Sequence, residues 1–153
     1  MTGPEEQYVN LGLLMFVGYR SMESRVLEAL HESGFEDMSA AKARVFERIG
    51  AQGTRLTDLA EQAQVTKQTA GSLVDQLEQA GYVERRPDPS DARARLICIA
   101  ERGLAAVQVA AGVVAQVEEE WTQHLGERDA RHLRRILTRL RETTDPYWRS
   151  GPG

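Results

Sequence analysis

Between Thr57 and Ile99 the apolar residues change period, and that change limits the folds open to the chain. A short helical run, Thr57 to about Gln64, leads into a turn through Gln64 and Val65. Thr66 then caps a helix that runs to Ala80 and stops at Gly81. Within it Ala70, Leu73, Val74 and Leu77 recur at three- and four-residue steps and form a buried stripe. Beyond Gly81 the spacing alternates: Tyr82–Arg86 and Arg95–Ile99 read as short strands around Pro87-Asp88-Pro89-Ser90-Asp91, a hairpin with a polar tip.

The flanks are helical and apolar. Gln7 to Ser33 places Val9, Leu13, Leu14, Phe16, Val17, Met22, Val26, Leu27 and Leu30 mostly at helical steps, with apolar residues on more than one side. Ser39 caps a helix over Ala40–Ile49, which Gly50 and Gly53 end. A long helix is expected from Glu101 to His124 despite Gly103 and Gly112. A last one spans about Glu127 to Arg141, with Leu133, Ile136, Leu137 and Leu140 on one side. The expected fold is mainly α with a small β-hairpin. It divides into an N-terminal helix (1–38), a central domain (39–100), C-terminal helices (101–145) and a flexible tail (146–153). The central domain is too small to bury both long terminal helices, so a homodimer is expected to cover them. Plain intramolecular core is the other reading of the Leu125–Leu140 stripe.

Several classes are excluded. The strongest apolar run near the start, Leu11–Tyr19, is too short to span a bilayer and lacks the flanks of a signal peptide, so a cytoplasmic protein without a membrane partner is expected. Cys98 is the single cysteine and permits no internal disulfide; in an apolar strand with no resolving thiol it reads as structural rather than redox-active. His31, His124 and His132 show no ligand spacing, so no metal and no cofactor are expected. No nucleophile with a base and no phosphate-cradling glycine loop argues for an enzyme.

What remains is a surface for nucleic acid. The formal net charge is -4 over 153 residues, so affinity for a polyanion must come from a local basic surface. "RRPDPSDARAR", Arg85 to Arg95, supplies four arginines. Helix, tight turn, polar-faced helix and basic hairpin together make the layout of a winged helix-turn-helix. A B-form major groove admits one α-helix, and the exposed face here offers Gln68, Ser72 and Asp75, with Thr66, Lys67 and Thr69 at its start. Gly71, unfavourable inside a helix, lets the backbone come close to DNA. On the wing, Arg93 and Arg95 are the candidates for a minor groove, and Arg85 and Arg86 for flanking phosphates. Asp88 and Asp91 shape the tip by accepting backbone N–H groups, and Asp91 is expected also to hold Arg93 by a charge-assisted pair. On the first helix, Tyr19 and Arg20 could line a pocket for an aromatic acid, the arginine meeting a carboxylate, but ordinary interface packing is the preferred reading of them.

"RLTDLAEQAQVTKQTAGSLVDQLEQAGYVERRPDPSDARARLICIAERG", Arg55 to Gly103, resembles the DNA-binding core of MarR-family transcriptional regulators, including the D-x-R motif at Asp91-Ala92-Arg93 and the following "ERG". The resemblance implies a homodimer with long interlocking N- and C-terminal dimerisation helices. It implies binding to a pseudo-palindromic operator in double-stranded DNA, usually in repression, and release by a small aromatic or phenolic effector. Three positions depart from the family pattern. Ser72 replaces a frequent arginine, which shifts recognition toward the wing; Gln64 stands where glycine is common; Ala100 stands where threonine usually caps the next helix. The reading from another class is a dimeric protein-interaction module without specific DNA binding.

Overall fold

The computed structural model describes residues 9–149. Six helices and one hairpin follow in the order α1 (Leu11–Glu32), α2 (Ala40–Phe46), α3 (Leu56–Ala63), α4 (Lys67–Gln79), β1 (Val83–Asp88), β2 (Asp91–Ile99), α5 (Glu101–Leu125) and α6 (Glu127–Thr144). The fold is mainly helical with a two-stranded antiparallel wing, as the periodicity predicts. Asn10 caps α1, its side chain accepting the Leu13 N–H at 2.8 Å; Gln7, where the spacing begins the helix, lies outside the described residues. Ser39 and Thr66 cap α2 and α4 as expected, each accepting an N–H three residues on.

Between α3 and α4, Gln64 adopts φ 58° and ψ 43°, the left-handed conformation for which glycine is usual. Its side chain reaches back to the Glu61 carbonyl at 2.8 Å, a local hydrogen bond that helps hold the turn. Ala100 precedes α5 without a side-chain cap.

The strands are longer than the alternation suggests. Pro87 lies inside β1, opposite Arg95, and the turn shrinks to Pro89 and Ser90 between Asp88 and Asp91. A proline is tolerated there because β1 is an edge strand and the register is irregular between Pro87 and Asp88. A single bridge between Thr54 and Ile97 covers the other side of β2, with N–H to carbonyl distances of 3.0 and 2.8 Å.

The core gathers around α2, α3 and α4 and the base of the wing: Val45, Leu59, Val74, Leu77, Tyr82, Val83 and Ile97 are buried. Leu30 from α1 and Ala106 from α5 join the same cluster, so the terminal helices are anchored in the domain they flank. Arg102 closes this corner. It lies over the Tyr82 and Phe35 rings and bonds the Asp37 carboxylate and the Ala80 carbonyl.

Away from that core the helices are bare. Leu11, Leu13, Leu14, Phe16 and Val17 on α1, and Leu133, Ile136, Leu137 and Leu140 on α6, are exposed. The accessible surface is 10970 Å². A compact monomer of 17.1 kDa would expose roughly 7,700 Å². No helix among the described residues is long and apolar enough to cross a membrane.

Of the tail expected to be flexible, residues 150–153 lie outside the described residues, and the part before them is fastened. Asp145 accepts hydrogen bonds from Arg48 and Arg141, and the Tyr147 hydroxyl donates to Glu61.

Candidate nucleic-acid interface

The N-terminal half of α4 is presented to solvent because its buried stripe, Ala70, Val74 and Leu77, faces the core. Thr66, Lys67, Gln68, Thr69 and Ser72 are all exposed. Thr66 accepts the Thr69 N–H at 3.1 Å, which leaves other first-turn N–H groups free to meet an anion. At Gly71 a Cβ would meet only Leu56 Cδ2, at 3.8 Å, an ordinary contact, so the position looks toward α3 and packing within the chain does not require glycine there.

The wing sorts its four arginines by pleat and partner. Register places Arg85 opposite Ile97, and Pro87 opposite Arg95, on the face that turns Val83 and Ile97 inward; Arg86 lies opposite Leu96 on the other face. Arg93 and Arg95 are exposed and, among the described residues, enter no ion pair. Arg85 is engaged: it bonds Asp75 at 2.8 Å and Glu78 at 2.6 Å, and only 24% of its side chain is exposed. It therefore ties the wing base to α4 and is not offered to a flanking phosphate, contrary to expectation. Arg86 is exposed and pairs with Glu84 two residues before it, on the face away from Arg95. Of the four, Arg93 and Arg95 combine exposure with freedom from carboxylates.

The two aspartates also divide. Asp88 is buried and bonds the Ser90 N–H at 2.8 Å, the Ser90 hydroxyl at 2.7 Å and Arg55 at 2.7 Å. The Ser90 hydroxyl, the Ser90 N–H and the Arg55 guanidinium hold its carboxyl at about 2, below the usual 3.8. Asp91 accepts the backbone N–H of Arg93 at 3.0 Å but makes no ion pair with the Arg93 guanidinium, so the expected charge-assisted pair is absent and Arg93 stays free. Arg55, which caps no group of its own helix, was not a sequence candidate; its partner lies 33 residues away and no local pattern marks it.

The Asp88 linkage makes the wing acid-sensitive. A carboxyl whose folded pKa lies below its unfolded value stabilises the fold when ionised. That contribution is complete above about pH 4 and fades as pH falls toward 2. Asp88→Asn should therefore lower the melting temperature at pH 7 and lose its difference from the parent near pH 2. A difference independent of pH would show that the carboxylate charge is not what holds the tip.

The Tyr19–Arg20 pair does not form the candidate ligand site. The Tyr19 hydroxyl donates to Glu23 at 2.9 Å and to Glu47 at 3.1 Å, and burial together with these carboxylates pushes its pKa well up. Arg20 bonds the buried Glu23 at 2.7 Å, and Arg44 bonds both Glu23 oxygens at 2.9 and 3.0 Å. The Arg44 hydrogen bonds keep the Glu23 carboxyl below its ordinary range. The cluster is closed upon itself, and an incoming carboxylate would meet two acidic side chains. A cleft of about 630 Å³ lies elsewhere, between α5 and α6, with Trp121, Leu125, Leu133 and Leu137 on its walls.

Residues 36–94 match the MarR family. The fold is similar to the crystal structure of wild-type apo MarR from E. coli, at 23% identity and TM-score 0.65 over 88% of this chain and 98% of that one. It is similar to the transcriptional regulator SlyA, at 18% identity and TM-score 0.70 over 92% and 98%. It is also similar to a MarR transcriptional regulator from Methanosarcina mazei Go1, at 17% identity and TM-score 0.69 over 88% and 95%. No curated protein sequence matches the chain. By the family match across its central domain and by its architecture, the chain has the winged helix fold of MarR-family transcriptional regulators.

Proposed function

We propose that this protein is a dimeric, sequence-specific DNA-binding regulator of transcription. Two recognition helices would enter successive major grooves of a pseudo-palindromic operator while the wings reach the flanking grooves. The observation that carries this reading is the pair Arg93 and Arg95, exposed and, among the described residues, without acidic partners on the wing of an otherwise acidic chain. Lys67, Gln68, Thr69 and Ser72 add hydrogen-bonding groups at the helix start, where the dipole favours phosphate. A second copy would cover the apolar faces of α1 and α6, whose exposure accounts for part of the excess surface. The protein would act in the cytoplasm as a repressor. A small aromatic or phenolic effector would release it by holding the two recognition helices at a spacing other than the roughly 34 Å of successive grooves.

Selection of bound duplexes from a random library by the full chain tests the reading. The enriched sequence should have two-fold symmetry, with half-sites about 10 base pairs apart. Affinity for it should fall steeply with added salt, because each phosphate contact releases a counterion. No enrichment together with a flat salt response would leave the dimeric interaction module as the better description.

A further inference from the structure

We propose that the turn at Asp145–Tyr147 is a strap, fastening the far end of α6 to the helix-turn-helix and setting the angle at which α4 meets DNA. Its second half rests on the DNA-binding reading above. Asp145 follows α6 and is 14% exposed; Arg48 Nη2 lies 3.1 Å from each of its oxygens, and Arg141 Nε donates at 2.9 Å. Two residues on, the Tyr147 hydroxyl donates to Glu61 on α3 at 2.5 Å. The strap thus grips the helical domain twice, in the turn after α2 and on α3, the helix against which α4 packs. One attachment would allow α6 to pivot; two remove that freedom.

The strength of these contacts suits orientation rather than stability. Both pairs lie at or near the surface, where solvent screens them. Arg48 bonds Asp145 through one nitrogen and leaves its buried Nε without a partner, so the grip is incompletely satisfied. Such a contact opens more readily than the core beneath it. The apolar face of α6 lies on the same helix, so what a second copy does to α6 is passed through the strap to α3.

Asp145→Asn isolates the proposal, since an asparagine oxygen still accepts the Tyr147 N–H at 3.0 Å while the arginine ion pairs are lost. Spin labels at Gln79 on α4 and Arg135 on α6, both exposed, report their separation in Cys98→Ala chains. Doubly labelled chains are diluted into unlabelled protein so that only the distance within one chain is read. Asp145→Asn and Tyr147→Phe should each broaden that distribution, and Asp145→Asn should weaken binding to the selected duplex about tenfold, with little change in melting temperature. An unchanged distribution in Asp145→Asn would overturn the strap, and a broadened one with unchanged affinity would overturn its role in presenting α4. If the parent protein selects no duplex, the DNA reading fails, and the strap is judged on the distances alone.

Discussion

Gly103→Ala should cost more than about 3 kcal/mol of stability, the largest effect expected of any single methyl group added to this chain. A Cβ at Gly103 would lie 2.2 Å from the Tyr82 carbonyl oxygen, 2.9 Å from Ile99 Cγ2 and 3.1 Å from a Phe46 ring carbon. The nearest of these is backbone and cannot rotate away. Tyr82 O also accepts the Ala100 N–H at 2.9 Å, the bond that joins the start of the wing to the start of α5. Making room for the methyl group would separate α5 from β1, and α5 is the element that leads out of the winged domain. Thermal melting of the variant should show a fall of about 6–12 °C, taking roughly 2–4 °C per kcal/mol for a chain of this size. Gly71→Ala is the contrast, since its Cβ finds only Leu56 Cδ2 at 3.8 Å. It should gain about 1 kcal/mol from helix propensity. Equal melting temperatures for the two alanine variants would show that the close approach at Gly103 is not limiting.

Where signals were local, the sequence was enough. The Thr66 cap, the stripe Ala70, Leu73, Val74 and Leu77, and the stop at Gly81 need only neighbours within a turn or two, and the structure places them so, except that Leu73 is only partly buried where it packs against the core. The left-handed turn at Gln64 was legible in outline, because a position where glycine is usual implies a backbone angle even when another residue occupies it. Wing length was not legible: Pro87 reads as a turn residue, and only its place on an edge strand opposite Arg95 makes it part of β1. The roles of the arginines were hidden for a different reason. Arg85 and Arg93 look alike in sequence, and what separates them is whether tertiary structure brings a carboxylate near. Asp75 and Glu78 reach Arg85 from α4, Arg55 claims Asp88 from the start of α3, and Asp91 accepts an N–H of Arg93 while leaving its guanidinium unpaired. Likewise the residues of "ERG" have reasons only in the fold. Arg102 clasps Asp37 over two aromatic rings, and Gly103 makes room for a carbonyl.

That sorting of arginines leads to the second large effect. Replacing Arg93 and Arg95 together by alanine should lower affinity for the selected duplex about 100-fold or more and flatten its salt dependence, while the melting temperature and dimer stay as they were. Neither side chain has an ion-pair partner among the described residues, so nothing within the fold is lost with them. If each neutralises one phosphate, a dimer loses about four such contacts, and the slope of log affinity against log salt should fall by about 3.6. An arginine seated in a minor groove also reads its width, so discrimination among flanking sequences should weaken together with affinity. Arg85→Ala should behave differently. Its guanidinium bridges Asp75 and Glu78, so its loss loosens the wing against α4 and leaves two carboxylates unpaired on α4, the helix proposed to face DNA. Affinity should fall through misplacement and repulsion, with the Arg93 and Arg95 contacts still counted in the salt slope. Titration of one duplex at several salt concentrations with parent, double variant and Arg85→Ala separates the two mechanisms. A double variant with the parent's slope would remove the wing tip from the interface and leave recognition to α4, where Ser72 and its neighbours would have to supply it.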